Sequence, residues 1–72
     1  MTRVRCYAGT RYPERPTALE WEGRWLDVTA ILRQNHSPQG LIFEVLAADH
    51  QRYRLTWHEA DDHWSIVRVS TV

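Results

Sequence analysis

Residues 51–57 alternate without a break: Tyr53, Leu55 and Trp57 are apolar, while Arg52, Arg54 and Thr56 between them are polar. A period of two sends successive side chains to opposite faces of an extended strand, so this segment is a strand with one buried face. The same period recurs along the chain. Val4, Cys6 and Ala8 alternate with Arg3, Arg5 and Tyr7, and Leu19 and Trp21 alternate with Ala18 and Glu20. Leu41, Phe43, Val45 and Ala47 alternate with Ile42, Glu44 and Leu46, a strand apolar enough to be central. Trp64, Ile66 and Arg68 alternate with Ser65, Val67 and Val69.

The punctuation between these runs is turn chemistry. Glu22-Gly23 sits between Trp21 and Trp25, and the glycine can take the positive φ of a tight hairpin. Asp49-His50 joins two runs through residues that tolerate left-handed geometry. Gly9 to Pro16 holds two prolines and reads as a loop or edge segment. Asn35 to Gly40 reads as a loop seeded by Ser37-Pro38, and His58 to Asp62 as a polar connection. Residues 24–33 fit two periods. A helix would align Trp25, Val28 and Leu32, whereas a strand would align Leu26, Val28, Ala30 and Leu32; the hairpin signal and β-branched residues favour the strand. The expectation is one all-β domain, an antiparallel meander of five to six strands curled into a small SH3-like barrel.

A chain of 72 residues has a thin core. Its single cysteine, Cys6, allows no internal disulfide and fits a reducing, cytoplasmic setting. Eight aromatic residues, four of them tryptophan, supply the missing bulk. No stretch is apolar and long enough to span a bilayer as a helix. The formal net charge is zero, which argues against strong non-specific polyanion binding. Residues 1–19 nevertheless carry Arg3, Arg5, Arg11 and Arg15 against Glu14 alone. All nine basic residues are arginine, a bias assigned to genomic composition rather than function.

The spaced residues Tyr7-x-Gly9, Arg15-Pro16, Leu19, Trp21-x-Gly23, Val28, Phe43-x-Val45, Arg52-Tyr53-x-Leu55 and Trp64-x-Ile66-Val67-Arg68 form a pattern. It resembles a family of small uncharacterised bacterial proteins that read R-P-x-x-F/L-x-W-x-G near the start. In some actinobacteria such genes lie near translesion DNA polymerases. The resemblance implies a DNA-damage setting and brings no catalytic residues with it.

Four groups of residues carry candidate chemistry. His58, Glu59, Asp61, Asp62 and His63 are metal-ligand types, but their spacing on a loop lacks a paired-ligand pattern, and a solvated turn explains them. Cys6 shares a strand face with Val4 and Ala8, which favours an inert thiol. The carboxylate pairs Glu20/Glu22 and Asp61/Asp62 lack any sign of the burial that tunes an acid or base. No nucleotide or hydrolase fingerprint is present, so no enzymatic activity and no cofactor are expected.

The fourth group is an arginine face. Arg3, Arg5 and Tyr7 point one way on the first strand, and Arg52 and Arg54 one way on the fifth. If closure makes these strands neighbours, they form one patch, with Trp25 beside the hairpin either exposed as an anchor or buried by a bulge at Gly23. Arginine with aromatics suits a protein partner, including a second copy in a homodimer. It also suits weak binding of single-stranded nucleic acid in DNA repair or damage tolerance. The ordinary alternative is cross-strand pairing of these arginines with Glu20, Glu22 and Glu44. A non-catalytic interaction module is the leading expectation and the nucleic-acid domain the second.

Overall fold

A computed structural model describes residues 3–8 and 13–69, and the side chains of all of these except residues 7, 8, 13 and 14. Six strands follow one another: β1 (Val4–Ala8), β2 (Pro13–Trp21), β3 (Arg24–Ser37), β4 (Gly40–Ala47), β5 (Arg52–His58) and β6 (His63–Val69). Each pairs antiparallel with its sequence neighbour, in the order β1-β2-β3-β4-β5-β6. The meander expected from the alternation is therefore the observed fold, and the sheet curls as a half-barrel. A radius of gyration of 11.3 Å is what a rolled, close-packed chain of this length has, about 11 Å.

The turns fix the register. Glu22 and Gly23 have φ of 51° and 77°, so they form a two-residue turn with both central residues left-handed. That geometry places Trp21 opposite Arg24, Glu20 opposite Trp25 and Leu19 opposite Leu26. The loop expected from Asn35 to Gly40 shrinks to Pro38-Gln39, because Asn35, His36 and Ser37 all pair with β4. The Ser37 hydroxyl accepts from the amides of Gln39 and Gly40 and replaces a longer connection. Of the loop expected at Gly9–Pro16, residues 9–12 lie outside the described residues, and residues 13–16 are strand. Pro16 stands opposite Cys6 beside a register shift, a place where a missing amide is tolerated.

β3 settles the ambiguity at residues 24–33 as strand, with one correction. Register shifts fall between Val28 and Ala30 and between Ile31 and Arg33. Each inserts an unpaired residue, and the face changes. Ile31 therefore packs on the core, while Leu32, expected to share the face of Leu26 and Val28, is 47% exposed. The shifts also bend the strand. Its first half pairs with β2 and its second half with β4, so β3 belongs to both parts of the sheet.

The concave face holds the core: Leu19, Leu26, Leu41, Phe43, Val45, Ala47, Tyr53, Leu55 and Trp57, with Val4, Trp21, Val28, Ile31, Trp64 and Ile66 packed against it. Trp21 meets Tyr53 edge-on at 5.3 Å and ties the two parts of the sheet together. Among the described residues no polar or charged side chain is buried, and no buried side-chain polar atom lacks a partner. Tyr53 keeps its hydroxyl satisfied by donating to Asp49 Oδ2 at 2.7 Å, across the β4–β5 turn. No helix of the described residues is long and apolar enough to cross a membrane.

Candidate functional site

The convex face at β1, β2 and the start of β3 carries the most distinctive side-chain arrangement. Because the Glu22-Gly23 turn makes Leu26 face inward, its neighbour Trp25 must face outward. It remains 41% exposed. Arg5 lies outward on β1 opposite Ala18, whose small side chain is buried beneath this face. The Arg5 guanidinium sits 4.7 Å from the centre of the Trp25 ring. An exposed cation–π contact of this kind contributes about 0.5–1 kcal/mol, a modest bias toward the stacked arrangement. Glu20 stands opposite Trp25, and Asp27 opposite Ala18. Arg3 joins the face at the end of β1, its carbonyl accepting from the Glu20 amide at 2.8 Å. The surface is thus an aromatic and a stacked arginine in a setting of mixed charge.

The expected convergence of β1 with β5 does not occur through strand pairing. β5 pairs with β4 and β6, and three strands separate it from β1 in the sheet order. Arg54 is exposed but engaged, its Nη2 3.1 Å from Glu44 Oε1 in the directly opposite position on β4. Arg52 is half-buried opposite Leu46 and Val69. The backbone of Tyr7 pairs with Arg15, and its side chain lies outside the described residues. Of the six residues singled out in the sequence, the structure brings Arg5 and Trp25 into contact and places Arg3 immediately before the strand that carries Arg5.

The histidine and acid connection is organised by hydrogen bonds within the hairpin. His58 and His63 face each other across β5 and β6 and stack at 4.3 Å, 8° from parallel. His58 Nε2 shares a hydrogen bond with Ser65 Oγ at 3.0 Å. Trp57 Nε1 donates to Asp62 Oδ1 at 2.9 Å, and Asp61 lies 3.7 Å from His63 Nδ1. Among the described residues no three His, Cys, Asp or Glu side chains are grouped to hold a metal ion. A depression of about 570 Å³ runs from Pro38 and Gln39 to His58, Glu59 and Asp61.

Cys6 is half-buried, and burial pushes its thiol up to about 11, which suppresses the thiolate that a nucleophile requires. Glu22 belongs to the β2–β3 turn, and Glu20 stands on β2 opposite Trp25. Asp49 is the perturbed carboxylate. Partial burial raises it, but the hydrogen bonds from Tyr53 and the Gln51 amide, with the charge of Arg24, bring it below the usual carboxylate value. In turn, burial and then the bond to Asp49 push the Tyr53 phenol up to about 12. This pair spans the β4–β5 turn.

The Arg5–Trp25 contact was only half legible in the sequence. Counting back from the Glu22-Gly23 turn aligns β2 with β3, but the β1 register is interrupted by two shifts. Comparison with protein-family models, with curated proteins and with solved structures returned no match, so the site stands on its own geometry.

Proposed function

We propose that this domain is a non-catalytic protein-interaction module, an SH3-like curled meander acting in the cytoplasm, that recognises a partner through Arg5 and Trp25 on its convex face. The observation that carries this reading is the Trp25 ring, 41% exposed, with the Arg5 guanidinium 4.7 Å above it. Tryptophan and arginine, with tyrosine, are enriched at interface hot spots. Glu20 and Asp27 beside them give the face both signs of charge, which suits a protein surface better than a phosphate backbone.

The test is capture of a partner by the wild-type domain compared with Trp25→Ala and Arg5→Ala, each checked for an unchanged circular dichroism spectrum. Loss of the partner with both variants, and its retention by the Arg52→Ala, Arg54→Ala double variant, is the expected pattern. Salt-sensitive binding of single-stranded DNA by fluorescence anisotropy would replace this reading with the nucleic-acid one.

A further inference from the structure

We propose that β6 is a self-pairing edge, through which two copies of this chain associate antiparallel about Ile66 to make one continuous sheet. This surface is separate from the Arg5–Trp25 face. The two ends of the meander differ in a way that favours β6. β1 is interrupted by register shifts between Arg5 and Cys6 and between Tyr7 and Ala8, and it stands opposite Pro13 and Pro16. Shifts of that kind turn an edge away from new partners. β6 has neither protection. All seven of its residues pair in unbroken register with β5, from Val69 opposite Arg52 to His63 opposite His58. It contains no proline or glycine and one arginine. Its other side has no ladder partner among the described residues. Such an edge displays free amides and carbonyls in regular order.

The strand's own sequence selects a second copy. Ile66 is the midpoint of His63–Val69, so an antiparallel pair centred there uses the whole strand. In that register Trp64 of each copy stands opposite Arg68 of the other, and Ser65 opposite Val67. Trp64, Ile66 and Arg68 share the concave face because they pair with Trp57, Leu55 and Tyr53. Two arginine–indole contacts therefore form on one side of the joint. The two Arg68 groups lie four residues apart along the strand, about 14 Å, beyond the range of strong repulsion in physiological salt. Val67, 56% exposed in the single chain, and the half-buried Trp64 and Ile66 all gain cover. One strand pair is a small interface, so the dimer is a weak one.

Sedimentation equilibrium of the full chain should show a monomer–dimer equilibrium, with the dissociation constant raised roughly tenfold by Arg68→Glu. Trp25→Ala should leave it unchanged, which separates this inference from the interaction face. The register is tested in a Cys6→Ala background. Directly opposed Cβ atoms lie within disulfide reach. A mixture of Ser65→Cys chains with Val67→Cys chains should therefore cross-link under mild oxidation faster than either variant alone. A single monomeric species up to about 1 mM overturns the proposal. So does a mixture that cross-links no faster than its components.

Discussion

Gly40 opens β4 against the backbone of β5, and replacing it with alanine tests the packing directly. Its φ is 154°, and an added Cβ would collide with the carbonyl oxygen of Trp57 and lie 3.1 Å from the Glu59 amide nitrogen. Both neighbours are backbone, so no side chain can rotate away. Relief requires β4 and β5 to separate where Gly40 pairs with His58. That separation strains the hydrogen bond from the Glu59 amide to the Gln39 carbonyl, 2.9 Å long. Loss of that bond costs about 0.5–1.5 kcal/mol, and overpacking adds about 1–3 kcal/mol. The expected loss is about 2–4 kcal/mol, from a total stability of about 4–11 kcal/mol for a domain of this size. Urea denaturation followed by tryptophan fluorescence measures it. Gly23→Ala is the matched control. Gly23 has φ of 77° but open space around its Cβ position, so only backbone strain remains, about 1–2 kcal/mol. Gly40→Ala no more destabilising than Gly23→Ala would refute the close approach and the argument built on it.

Ile31→Ala should cost about 2–4 kcal/mol and Leu32→Ala less than about 1 kcal/mol, measured by the same denaturation, because the shifts in β3 turn Ile31 inward and Leu32 outward. Equal losses would contradict the bulged register. Alkaline stability follows from Cys6 and Tyr53, both raised in the folded state, to about 11 and about 12. Groups shifted upward stabilise the fold fully below their unfolded values and lose that contribution as pH rises through the folded ones. Melting temperature should therefore fall as pH is raised from about 9 toward 12, and Tyr53→Phe should flatten the upper part of that fall.

The strands were legible because one face of each is buried and the other is not, which writes a period of two into the chain. Tyr53, Leu55 and Trp57 against Arg52 and Arg54 needed no further information. The Glu22-Gly23 hairpin was legible for a different reason, as few residues accept the φ it demands. The face change in β3 was not legible. A bulge adds an unpaired residue without a compositional mark, and in Val28 to Leu32 apolar residues occupy both faces. The extent of β3 was hidden as well, since Asn35, His36 and Ser37 carry loop chemistry yet pair with the central strand β4. The candidate site was partly readable. The Glu22-Gly23 turn left Trp25 either outside or buried by a bulge, and whether β1 and β5 share a ladder depends on how the whole sheet is ordered.

The two ladders that share β3 give the domain an uneven resistance to opening. The β1–β2 hairpin is held to β3 by pairs from Ala18–Asp27 to Trp21–Arg24, while the rest of β3 lies along β4 from Val28 to Ser37. Peeling that hairpin away breaks four pairs and leaves the β3–β6 ladders in place. Arg5 travels with the hairpin and Trp25 stays with β3. A molecule resting on both residues therefore spans the seam and must lose one contact before the hairpin can lift. The same contact that would give recognition would then act as a clasp, passing part of its binding free energy to the least secured part of the chain.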